Sequence, residues 1–155
     1  MRSPLTCLLV SVSLAALACS STESGSGAPD PFVGMWSCTG TTTLTYSKPP
    51  LPVSTSTTSS SVKVTENGSQ LTAQTTYDGG PPCAVTLTWS GSVANVLPGQ
   101  TCTNADGYTA TFTTGTATVG GNTMTTNYSF TFAGKAAGVD VTGTGTVGAT
   151  CTRSG

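Results

Sequence analysis

The 155-residue sequence predicts an all-β domain, an eight-stranded antiparallel up-and-down barrel, with a β-sandwich as the alternative. Three observations lead there. Thr, Ser and Gly are abundant while charged residues make up only 7%; the branched Cβ of Thr suits a pleated surface. From Phe32 onward, apolar and polar residues alternate, with no helical period. Turn signals recur between the alternating runs, marking eight strands at 35–47, 60–66, 69–78, 83–90, 92–102, 108–119, 123–132 and 139–151.

In the first strand Trp36, Cys38, Leu44 and Tyr46 share one parity. Lys48-Pro49-Pro50-Leu51-Pro52 cannot lie in a central strand, because Pro has no N–H for the ladder. The Ser/Thr run 54–61 either prolongs that loop or begins a polar strand. Asn67-Gly68 is the strongest hairpin signal. As the central pair of a turn, it sets Val64 opposite Leu71 and Val62 opposite Ala73, with Tyr77 on the same face. Val85, Leu87 and Trp89 alternate next; after a turn near Ser90-Gly91, Ala94 and Val96 return on the matching face. Pro98-Gly99 then interrupts the fifth strand before Cys102.

The sixth strand changes phase. Tyr108, Ala110 and Phe112 are even while Ala117 and Val119 are odd, so one residue near 113–115 is extra and forms a β-bulge. A turn at Gly121-Asn122 pairs Val119 with Met124, Phe112 with Phe130 and Ala110 with Phe132. With a loop at 133–138, Val139 falls opposite Phe132 and Val141 opposite Phe130. Tyr128 then faces Gly143, and Thr126 faces Gly145. With eight strands the last is antiparallel to the first and closes onto it, removing the free edges.

The chain begins differently. Arg2 precedes an apolar run, 5–18, shorter than the ~20 residues of a spanning helix and fitting the core of an export signal. Ala16-Leu17-Ala18 supplies the small-residue cleavage pattern, and Cys19 follows at once. Residues 16–19 resemble the signal of bacterial lipoproteins, although that family prefers Leu where this chain has Ala16. The resemblance implies a diacylglyceryl group on Cys19 and anchoring to a membrane. With Ser20 rather than Asp after the Cys, it implies a cell-envelope protein sorted to the outer membrane. The expected organisation is therefore a signal peptide at 1–18, a lipidated Cys and flexible Ser/Gly-rich tether at 19–31, and the barrel at 32–155.

Four cysteines remain for an oxidising compartment, and they allow three pairings. Barrel closure brings Cys38 beside Cys151, and Cys83 and Cys102 stand at the open end of one hairpin, so the expected bridges are Cys38–Cys151 and Cys83–Cys102. Zinc is the competing use of four Cys, but the chain has no C-x-x-C pair and no His.

Gly34-Met35-Trp36 at the start of the first strand is similar to the Gly-x-Trp motif of lipocalins and the wider calycin barrels. That resemblance implies that Trp36 closes one end of the barrel against a cation near the end of the last strand, a position Arg153 holds. It also implies a lid loop at 48–59. Asp106-Gly107-Tyr108 is only similar to a second lipocalin motif and precedes three strands where the family has two.

Five Lys and Arg against six Asp and Glu make no basic stripe, which argues against nucleic acid as a partner. Without His, Ser-His-Asp and Cys-His catalysis are excluded, no carboxylate pair is placed for glycosidase chemistry, and the chain is not expected to be an enzyme. Asn104-x-Asp106-Gly107 reads as an Asx turn, since the other ligands of a calcium loop are missing. No cofactor is expected. Two functions remain. One is a barrel that binds a small apolar ligand, lined by Leu71, Tyr77, Leu87, Phe112, Met124, Tyr128, Phe130 and Phe132. The other is a structural or interaction protein whose barrel is filled by those side chains. A cavity of roughly 300 Å3 or more separates them.

Overall fold

The computed structural model describes residues 30–49, 51–77 and 80–154. The expected signal peptide, Cys19 and most of the expected tether lie outside them, as does Asp78.

The strands are β1 (Gly34–Lys48), β2 (Ser54–Asn67), β3 (Gln70–Tyr77), β4 (Cys83–Ser90), β5 (Val93–Val96), β6 (Thr101–Thr103), β7 (Thr109–Gly120), β8 (Thr123–Ala136) and β9 (Val139–Ser154). Every pairing is antiparallel. Consecutive strands pair from β1 to β5 and from β7 to β9. Two further pairings close the ring, β9 onto β1 and β5 onto β7. The result is a closed eight-stranded up-and-down barrel, calycin-like, with β6 as a short extra piece beside β7. Closure removes the β-sandwich alternative, in which two sheets would keep separate edges.

β5 and β6 together occupy the single strand predicted at 92–102. Pro98 cannot donate to the ladder, and Gly99 turns with φ +83°. The chain leaves the wall between Val96 and Thr101, so no ladder joins β4 to β6. The side-chain amide of Gln100 fills the gap: its Oε1 accepts from Thr86 N–H at 2.6 Å, and its Nε2 donates to Thr86 O at 2.9 Å and Leu97 O at 2.7 Å. Together with Leu97 N–H, which donates to Thr86 O at 3.1 Å, the glutamine replaces the bonds a neighbouring strand would have given.

The β7–β8 register agrees with the prediction at Val119↔Met124, Phe112↔Phe130 and Ala110↔Phe132, and the bulge lies between Phe112 and Thr114. Two other registers are corrected. β2 pairs β3 as Val64↔Ala73 and Glu66↔Leu71, not Val64 with Leu71. The turn is Gly68-Ser69, with φ +62° at Gly68 alone, the pattern of a type II′ turn, so Asn67 stays in the ladder opposite Gln70. β8 pairs β9 as Phe132↔Gly143, Phe130↔Gly145 and Tyr128↔Val147, where the sequence had set Val139 against Phe132 and Tyr128 against Gly143. Here β8 runs on to Ala136 and turns through Ala137 and Gly138, both at positive φ, as type I′ requires. The lid loop expected at 48–59 is also corrected. β2 begins at Ser54, because its Ser/Thr run pairs with the equally Thr-rich β1 (Thr41↔Thr57, Thr43↔Thr55).

Inward residues form two hydrophobic clusters. The larger fills the end where β1 begins, around Phe32, Trp36, Leu71, Leu87, Ala94, Val119, Met124 and Cys151. The smaller is built on Phe130, Phe132 and Val141 toward the other end. Both disulfides form as expected, Cys38–Cys151 and Cys83–Cys102. Ring closure, both clusters and both bridges lie within residues 30–154, so this segment is a self-contained folding unit.

Candidate functional site

One end of the barrel is sealed. Trp36, fully buried, crosses it and donates its indole N–H to Phe32 O at 2.8 Å. The Arg153 guanidinium lies over the indole, 4.4 Å from the ring centre, and donates to Val33 O and Pro31 O. Gly34 explains the glycine two residues before the Trp. Its φ is +138°, and a methyl there would sit 2.8 Å from Arg153 Nη1. Asp30, placed by the sequence in the tether, is instead buried in this plug. Its Oδ1 accepts from Phe32 N–H at 2.7 Å and its carbonyl from Val33 N–H at 3.0 Å, an Asx turn that folds 30–33 under the barrel. No hydrophobic period marks Asp30, so its burial was hidden in the sequence.

Beyond this plug the barrel is hollow, and sealed-end residues such as Phe32, Leu71, Leu87, Met124 and Cys151 form the cavity floor. Thr42, Thr58, Ser60 and Thr75 occupy inward positions that a filled core would give to Leu or Ile, and they leave a cavity of about 680 Å3. That volume lies above the ~300 Å3 that separates a ligand site from a packed core. All eight residues proposed as lining face it: Leu71, Tyr77, Leu87, Phe112, Met124, Tyr128, Phe130 and Phe132. The sequence reading omitted Leu44, Tyr46 and Tyr108, which also line it. The first two share the parity of Trp36, so the signal was present.

The aromatic rings form a connected strip. Tyr46 meets Phe132 edge to face at 5.4 Å, Phe132 tilts against Phe130 at 6.5 Å, Phe130 against Phe112 at 6.3 Å, and Phe112 meets Tyr128 edge to face at 6.0 Å. Edge-to-face contacts fix ring orientation. The strip fits against the wall because β9 supplies glycines beneath Phe130 and Phe132. A methyl on Gly145 would overlap the Phe130 ring, and one on Gly143 would meet the Phe132 ring at 2.6 Å. The sequence had set Tyr128 against Gly143 and Thr126 against Gly145; the rings over these glycines are instead those of Phe132 and Phe130.

Polar groups are few and specific. Burial is the main cause that raises the Tyr128 phenol to about 12, with the buried Thr126 side chain acting in the opposite direction. Tyr77, partly exposed at the mouth, is raised as well by desolvation. The mouth is formed by the β3–β4 and β6–β7 connections. Asn104 organises the second: its Oδ1 accepts from Asp106 N–H at 3.1 Å and Tyr108 N–H at 2.9 Å, so the predicted Asx turn is present. The Cys83–Cys102 bridge ties β4 to β6 beside this mouth.

No protein-family model matches the sequence, and no curated protein matches it. Among solved structures, a crystal structure of a protein of unknown function from the DUF3598 family of Nostoc punctiforme is similar, with 13% identity and a TM-score of 0.31. The match covers 80% of this chain and 48% of that one, so the chain spans about half the length of that protein. The barrel assignment rests on the strand pairings described above.

Proposed function

We propose that this protein is a lipid-anchored carrier or sensor of the cell envelope that takes a small, largely apolar molecule into the open half of its barrel. The observation that carries the reading is the 680 Å3 cavity, lined by an aromatic strip and open at the end opposite the Trp36 plug. Small-molecule sites are concave, mainly apolar and equipped with a few placed polar groups, and this cavity has each property. Exposed Leu51 and Val53, just before β2, and Val139, at the start of β9, lie at the mouth end and offer an apolar ligand a first contact. The export signal at 1–18 would deliver the chain to the envelope, and a diacylglyceryl group on Cys19 would hold the domain at the outer membrane. Two disulfides fit an oxidising compartment.

The test uses residues 30–155 exported to the periplasm of an expression host, followed by native mass spectrometry and solvent extraction. The expected result is a chain lighter by four hydrogens, carrying an apolar molecule that solvent releases. Ala110→Phe, which places a ring in the cavity, should abolish that adduct while leaving the fold intact. A bare chain that also fails to take up N-phenyl-1-naphthylamine, a neutral apolar dye, would leave the barrel as a structural module.

A further inference from the structure

We infer that the cavity selects uncharged ligands bearing a hydrogen-bonding oxygen and rejects carboxylates such as fatty-acid anions; the inference rests on the ligand-binding reading above. It starts from where the cations are. The described residues contain four, Lys48, Lys63, Lys135 and Arg153, and none lines the cavity. Arg153 is committed to Trp36 and two carbonyls at the sealed end. Lys135 is paired with Asp140 at 2.6 Å on an exposed ladder. Lys63 is exposed on β2 between the inward Val62 and Val64, so it points outward. Lys48 ends β1 near the mouth and is exposed, outside the lining.

The charge that does line the cavity is negative, Asp106 in the β6–β7 connection at the mouth. An anion entering here would pass a carboxylate and find no cation in the cavity lining. Burying an ionised carboxylate without a partner is strongly unfavourable, so such a ligand would have to keep its headgroup in water or bind protonated.

What the interior offers instead is hydroxyls. Thr42, Ser60, Thr75 and Thr126 stand with the phenols of Tyr77 and Tyr128 around otherwise apolar walls. Each hydroxyl can donate or accept one bond to an alcohol, ketone or ether oxygen at no cost in charge. Tyr128 is the deepest of the phenols, set between Phe112 and the bare backbone of Gly115, and its raised phenol stays a neutral donor throughout the physiological range. Its place beside the aromatic strip lets one ligand stack on rings and hydrogen-bond at the same time.

A pair of ligands matched in all but charge tests this. The barrel of residues 30–155 is loaded with N-phenyl-1-naphthylamine, and the dye is displaced at pH 7.5 with decan-1-ol or decanoate. The alcohol should displace it at a concentration at least about tenfold lower than the anion, a ratio set by the unpaired charge. At pH 3.5, below the usual carboxylate range of about 4, the acid should approach the alcohol. Thr58→Lys, which adds a cation to the cavity wall toward the mouth, should narrow the ratio between decanol and decanoate severalfold. Equal displacement by alcohol and anion at pH 7.5, with the dye bound, would overturn the selectivity and leave ligand binding standing. No dye uptake by the folded protein would remove both readings.

Discussion

The two ends of the barrel are made of the same strands and solve opposite problems. At the sealed end, Trp36 and Ala94 are fully buried and Phe32, Leu71 and Cys151 are 1% exposed. The side chains there interdigitate, and a cation, an indole and a buried carboxylate complete the plug. At the open end the same inward parity carries Thr, Ser and Gly, the rings lie against the wall, and the centre is vacant. Packing is thus weighted toward one end of the barrel axis and free volume toward the other, with the sealed-end core serving as the cavity floor. A change at one end should be felt in unfolding, and a change at the other in ligand uptake.

The disulfides give the largest contrast. Cys38–Cys151 joins positions 113 residues apart and sits in the sealed core; Cys83–Cys102 joins positions 19 apart beside the mouth. On loop-closure grounds, replacing the first pair with Ala should cost about 4–5 kcal/mol and the second about 3 kcal/mol. Urea unfolding of the two double variants measures the gap. Equal losses would show that the sealed end is not the stability centre.

Gln100→Ala tests the seam between β4 and β6. It removes three hydrogen bonds and leaves Thr86 N–H without its partner, while Thr86 O keeps the Leu97 N–H, for a loss of about 2 kcal/mol. Hydrogen exchange should speed up at Thr86 and through β6 while the sealed end stays protected. Uniform acceleration would contradict a local seam.

The smallest effect sharpens the view of the open end. Because the Tyr128 phenol is raised to about 12 in the folded protein, the unfolded chain loses that proton first, near 10. Stability from this group is complete below pH 10 and falls as pH climbs toward 12. Tyr128→Phe should leave the melting temperature at pH 7 nearly unchanged and flatten its decline above pH 10. An unaltered decline in the variant would mean that Tyr128 is open to water when folded.

Much of this was legible in the sequence, for a reason the two corrected registers make plain. The β2–β3 and β8–β9 pairings each slide by an even number of residues from the predicted ones. An even slide moves a side chain up or down the barrel but never through its wall, so the inward set was right while its partners were not. The β7 bulge was readable because a change of parity demands an extra residue. The β8–β9 turn was not, because Ala137 at φ +49° is a conformation that alanine rarely takes and no composition rule announces. Gln100 was invisible as well, since nothing in a polar side chain after a Pro-Gly turn says that it will stand in for a strand. The cavity escaped for a different reason. It depends on the summed volume of inward residues from several strands, and a list of large apolar residues overlooks Thr42, Thr58, Ser60 and Thr75 among them.

The outer wall has a consequence of its own. Across β2, β1, β9 and β8 the outward positions pair Thr or Ser with Thr again and again, as in Thr39↔Thr150, Thr43↔Thr146 and Thr125↔Thr150. Such a surface is wetted by hydroxyls and casts almost no electrostatic field. Approaching molecules are neither steered nor repelled at a distance, so their encounter rates with this protein should be nearly indifferent to salt. Whatever the barrel meets, it meets by diffusion and judges only on contact.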